Sequence, residues 1–234
     1  VYDRQDLTTT RVSVASDGAE GNESSERSTI SADGRYVAFQ SLARNFAAGD
    51  DNGAMDIFVR DRLTNTTTLV SRTAAGGVGN GPSTAPAISD GGRYVAFISA
   101  ANNLVAGDTN GQPDVFVYDR DTHAMQLVSR ASGPDGALGD RTSDIRRLAI
   151  SADGRYVTFG SDATNLVPGD TNNTSDIFLY DRQTLATTLV SRTSGPNGVQ
   201  GNRDSWYPQM SADGRYIVYR SRSSNLVPGD TNNG

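Results

Sequence analysis

Three acidic loops hold the side chains with the clearest chemical potential. Each begins at the Asp of a Gly-Asp step and sets oxygen-bearing residues at its first, third and seventh positions: Asp50, Asn52 and Asp56; Asp108, Asn110 and Asp114; Asp170, Asn172 and Asp176. A fourth set begins with Asp230 and Asn232 and lacks the third residue, so an incomplete or altered site is expected there, together with a longer natural chain. Oxygen ligands at alternating loop positions can converge on one point, and two carboxylates with an amide oxygen suit a hard cation, Ca2+. The set carries less charge than an EF-hand loop, so binding should be weak, and its role structural: neutralising clustered carboxylates and stiffening a long loop. The same residue types also form Asx-turns, although a turn needs only one such side chain. Recurrence of three at ligand-like spacing favours calcium over turns alone. Repetition in every copy argues against catalysis, which normally uses a single constellation.

Other chemistries find less support. There is no cysteine, which excludes disulfides, thiolate metal sites and a cysteine nucleophile. The lone imidazole, His123, falls in a turn, and no pair of carboxylates stands out for glycoside hydrolysis, so no enzyme activity and no catalytic residue are expected. All basic residues are Arg, and the formal net charge of -6 opposes a nucleic-acid partner. No apolar run approaches the ~20 residues of a membrane-spanning helix, so no membrane insertion is expected. The pairs Asp3-Arg4, Asp61-Arg62, Asp119-Arg120 and Asp181-Arg182 read as structural, with Asp capping a turn and Arg pairing with a neighbouring carboxylate. Trp206 and Tyr207 break the repeat; they either fill a gap between sheets, the favoured reading, or offer a sugar-stacking patch.

The elements that position these residues follow from an internal repeat. Gly34-Arg35-Tyr36, Gly92-Arg93-Tyr94, Gly154-Arg155-Tyr156 and Gly214-Arg215-Tyr216 mark four copies of roughly 60 residues. Each copy has four short segments of strand character separated by Gly, Asn, Asp and Ser clusters; in the second they run Thr84 to Ser89, Arg93 to Ser99, Asp114 to Asp119 and Met125 to Arg130. The Asp-Gly step between the first two strands suits the positive φ angles of a tight hairpin. Val95 and Phe97 point one way and Tyr94 and Ala96 the other, so both faces are apolar and need covering. Radially stacked four-stranded sheets supply that cover on both sides.

The segment Ser-Ala-Asp-Gly-Arg-Tyr-Val (151–157), with Asn-Leu-Val-Pro-Gly-Asp-Thr-Asn, Asp-Ile-Phe-Leu-Tyr-Asp-Arg and Thr-Thr-Leu-Val-Ser-Arg, resembles the WD40-like, TolB-type β-propeller repeat of bacterial envelope and secreted proteins, in a long-repeat form. The resemblance spans essentially the whole chain and implies a β-propeller, although the repeats here are longer and number four where that family commonly has six. The repeat count and strand pattern set the expected all-β fold as a four-bladed β-propeller of four-stranded antiparallel blades. Blades are expected at about 24–72, 83–130 and 144–192, the fourth joining 205–234 to 1–15 so that N- and C-terminal strands close it. The resulting expectation is a non-catalytic extracellular or cell-envelope module. Its partners would be proteins or other copies of itself, with glycans, lectin fashion, as the alternative. Exchange of terminal strands between copies would give a head-to-tail homopolymer.

Overall fold

A computed structural model of the chain describes residues 1–195 and 197–230, excepting the side chains of residues 144–146. Every element among them is a strand. A hairpin of β1 (Tyr2–Asp3) and β2 (Thr8–Thr9) comes first. The first blade contains β3 (Ser25–Ile30), β4 (Tyr36–Ser41), β5 (Asp56–Asp61) and β6 (Thr66–Leu69). The second contains β7 (Ser83–Ile88), β8 (Tyr94–Ser99), β9 (Asp114–Asp119) and β10 (Met125–Leu127). The third contains β11 (Ser143–Ile150), β12 (Tyr156–Ser161), β13 (Asp176–Asp181) and β14 (Ala186–Leu189). A last hairpin joins β15 (Ser205–Met210) to β16 (Ile217–Ser221). Within each blade the strands pair in sequence order and antiparallel.

The expected two-sided burial is realised, and the core lies between blades. Ala38, Ile57 and Val59 of the first blade pack with Val95, Phe97, Phe116 and Tyr118 of the second. The opposite face of the second, Ala96, Ile98, Val115 and Val117, packs with Val157, Phe159, Phe178 and Tyr180 of the third. Each large apolar side chain so buried contributes about 1.5–3 kcal/mol. The innermost strands β3, β7, β11 and β15 line one cavity of about 900 Å3, which places the sheets around a common axis.

Successive blades are linked by one device used three times. The ring of Tyr36 lies over Gly92, that of Tyr94 over Gly154 and that of Tyr156 over Gly214; a Cβ added to Gly92 would fall 2.1 Å from the Tyr36 ring. Arg120 stacks on Tyr36 and Arg182 on Tyr94, with guanidinium carbons 4.1 and 4.3 Å from the ring centres. Backbone bonds from Ala32 N–H to Asp90 O, Asp90 N–H to Ala152 O and Ala152 N–H to Ala212 O join the turns themselves.

One expectation about the turns is modified. The Asp-Gly steps are not two-residue hairpins: Ile30 pairs with Val37, and only the glycine (Gly34, φ +71°) enters the left-handed region. Asp33 instead accepts bonds from Ser31 Oγ (2.5 Å) and the Arg35 amide (3.0 Å), capping a wider turn. Of the fourth blade the structure shows the hairpins β1–β2 and β15–β16, and no ladder is assigned between them among the described residues. The N-terminal segment is held on the first blade by Val14 O and Ser16, which bond Thr67, and by Ala15 O, which accepts from Arg60. Arg130 O and Ser132 make the same contacts with Thr187.

Candidate functional site

The Asp-Asn loops connect the second and third strands of each blade, and the third acidic residue of each opens a strand. Asp56 is fully buried; its Oδ1 accepts from Ser71 Oγ (2.6 Å) and its Oδ2 from Asn52 Nδ2 (2.8 Å). Asn52 Nδ2 also donates to Gly79 O, while its Oδ1 accepts the Ala54 amide at 2.7 Å, an Asx-turn. The pattern repeats: Asp114 with Ser129 and Asn110, and Asp176 with Ser191 and Asn172. Asn110 Oδ1 caps the Gln112 amide and Asn172 Oδ1 the Thr174 amide. All three asparagine oxygens are therefore engaged by backbone, and the amide nitrogens face the carboxylates. The expected asparagine ligands sit at the site as hydrogen-bond bridges.

The carboxylates are a different matter. Burial pushes Asp56 and Asp114 up to about 6, and raises Asp176; the neighbouring Asp50, Asp108 and Asp170 each add to the shift of their partner. Asp50, Asp108 and Asp170 are themselves buried, and burial raises all three. The structure thus brings together a carboxylate pair in each blade. Among the described residues no group of three or more His, Cys, Asp or Glu side chains converges. Asp230 is half-buried, and Asn232 lies outside the described residues.

The Gly-Arg-Tyr arginines and Asp-Arg aspartates meet in forked pairs. Arg35 Nε and Nη2 reach Asp61 at 3.0 and 2.7 Å, Arg93 reaches Asp119 at 2.9 and 2.7 Å, and Arg155 reaches Asp181 at 2.9 and 2.6 Å. The guanidinium holds Asp119 down at about 2 and Asp61 and Asp181 well below the usual carboxylate range. Arg62, Arg120 and Arg182 donate to Gly34, Gly92 and Gly154 carbonyls. His123 occupies its turn at φ +60° and meets Tyr118 Oη through Nδ1 at 2.8 Å. Trp206 lies under the Arg222 guanidinium, while Tyr207 faces the central cavity. Sequence reasoning gave no role to Ser71, Ser129 and Ser191; the signal was their recurrence just before Arg72, Arg130 and Arg192.

The fourth copy departs from this economy. Arg215 has the Gly-Arg-Tyr position but no carboxylate partner among the described residues; its guanidinium lies over Tyr216. Asp3, aligned with Asp61, accepts the Gln5 and Asp6 amides and, among the described residues, no guanidinium. Val218 is 66% exposed, whereas its counterparts Ala38, Ala96 and Thr158 are fully covered by a third strand. Tyr216 is 63% exposed, and Gly34, the fourth turn glycine, carries no tyrosine. The register of the complete blades sets Tyr36 opposite Asp61 and Ala38 opposite Val59, which maps Tyr216 onto Asp3 and Val218 onto Val1.

No family profile matches the chain, and no curated protein does. Solved structures do. TolB from Acinetobacter baumannii is 18% identical, with 87% of this chain and 41% of that one aligned at a TM-score of 0.50. A putative TolB from Agrobacterium tumefaciens is 16% identical over 86% of this chain and 55% of that one, at 0.51. An oligogalacturonate lyase in complex with manganese is 13% identical over 89% and 50%, at 0.50. The chain spans about half the length of these proteins. Such identities speak to architecture alone, and on that ground the chain has a β-propeller fold of the TolB-like kind.

Proposed function

We propose that this chain is a non-catalytic, self-associating propeller module that joins copies head to tail by completing the divided blade between neighbours. One observation carries the reading: β16 and β1–β2 present complementary halves of a blade, and among the described residues neither Arg215 nor Asp3 has the forked partner that three internal pairs possess. In the complex, β1–β2 of one copy would add to the open edge of β16 in the next, covering Val218 and pairing Arg215 with Asp3. Tyr216 would lie over Gly34 of the neighbour, as Tyr36 lies over Gly92 within the chain. A head-to-tail contact of this type leaves a free edge at each end and so builds chains.

The blade chemistry supports a structural rather than a catalytic reading, because the repeated Asp, Asn, Arg and Ser side chains bond one another at matching distances in three blades. Calcium in the Asp-Asn loops stabilises the blades in this reading. The setting is extracellular or the cell envelope, where calcium at about millimolar levels fills weak sites. Light scattering across a range of protein concentrations tests the self-association: mass should climb with concentration in the wild type and stay lower in Val218→Lys. A wild type that remains monomeric throughout would overturn the proposal.

A further inference from the structure

Although the three Asp-Asn loops share their residues, their surroundings differ where a cation would sit. In the third blade Gln200 Nε2 donates to Asp170 Oδ1 at 2.6 Å and to Asp176 Oδ2 at 2.9 Å, so one nitrogen bridges the carboxylate pair. Those distances are only slightly longer than Ca–O contacts of about 2.3–2.6 Å. The amide is oriented by its own Oε1, which accepts the Thr171 N–H. The equivalent positions are Val78 in the first blade and Leu138 in the second, as the matching bridges to Arg72, Arg130 and Arg192 establish. Neither aliphatic side chain can donate. In the first blade the Arg44 guanidinium lies near Asp50 and opposes the effect of burial on it. Arg44 aligns with Asn102 in the second blade, which leaves Asp108 with burial alone. Asp108 is only 7% exposed, and its Oδ1 accepts no hydrogen bond among the described residues. A buried carboxylate oxygen without a donor is costly and calls for a ligand.

We infer that the second blade holds the chain's calcium site, with Asp108 Oδ1 and Asp114 as its carboxylate ligands, and that Gln200 takes the cation's place in the third blade. This rests on the reading that the loops take calcium, and it makes the repeats unequal: one site is filled first, one is blocked by a side-chain amide, and one competes with Arg44. Neutral oxygen ligands would come from backbone and water, as hard cations accept.

Calcium binding to the folded chain, followed by calorimetry with Ca2+ alone as the titrant, separates the two levels of the proposal. The wild type should bind one ion, Asp108→Asn should bind none, and Gln200→Leu should bind two because it frees the Asp170–Asp176 pair. Circular dichroism identifies any variant that has not folded, and the gain expected for Gln200→Leu cannot arise from misfolding. Three equal ions in the wild type, or an unchanged stoichiometry in Gln200→Leu, would overturn the inequality of the blades while leaving calcium in place. No ion in either the wild type or Gln200→Leu would remove calcium altogether.

Discussion

Ser129 gives its hydroxyl hydrogen to Asp114 while accepting the Val115 amide, both inside the second blade. Replacing it with alanine would strand a buried carboxylate oxygen and a buried N–H, so Ser129→Ala should cost about 1–3 kcal/mol in denaturant unfolding. An unaffected midpoint would show that water replaces the hydroxyl without loss. The Arg93–Asp119 pair has a pH signature of its own. Because Arg93 lowers Asp119 from 3.8 to about 2 in the folded chain, its contribution is present above about pH 4 and drains away as pH falls toward 2. Thermal midpoints should therefore drop over that interval, and Asp119→Asn should begin lower at pH 7 and decline less steeply below pH 4. Parallel curves would assign the acid sensitivity elsewhere. The acidic positions of both features were legible from spacing alone. Their partners were not: Ser71 lies 15 residues from Asp56 and Arg35 lies 26 from Asp61, so strand pairing had to bring them together.

At the scale of elements, the turn between the first two strands of a blade does more than reverse the chain. It carries the glycine onto which the preceding blade's tyrosine packs, and it supplies the backbone bond to the next turn. Alanine at Gly92 or Gly34 meets the same left-handed strain, costing roughly 1–2 kcal/mol. Only at Gly92 would the new Cβ also strike a ring, whereas the nearest atom at Gly34 is 3.7 Å away. Gly92→Ala should therefore lower the thermal midpoint distinctly more than Gly34→Ala; equal losses would mean that the Tyr36 contact adds nothing. The strands and these turns were readable from period and glycine placement. The bulges of the inner strands were not, because Arg27, Ala85 and Tyr207, which adopt positive φ there, share neither size nor polarity. They are fixed by register against the second strand.

For the whole molecule, a repeat period predicts how many sheets stack but not which ends meet. The sequence expectation joined the N- and C-terminal strands into one blade; among the described residues no ladder joins β1–β2 to β15–β16, residues 14–16 are bonded to the first blade, and β15 packs on the third. Angles between blades come from packing at each junction, such as tyrosine on glycine and arginine on tyrosine, and no spacing in the sequence encodes them. Among the described residues β16 pairs with β15 alone, and its other edge carries a cationic side chain and two exposed apolar ones, an arrangement proteins usually cover. The most direct measurement of head-to-tail joining is a charge exchange across the Arg215–Asp3 contact, read by light scattering. Asp3→Arg and Arg215→Asp should each assemble poorly alone, and an equal mixture should recover wild-type mass, because every junction then pairs opposite charges. Variants that assemble as well as the wild type, or a mixture that stays monomeric, would contradict the account.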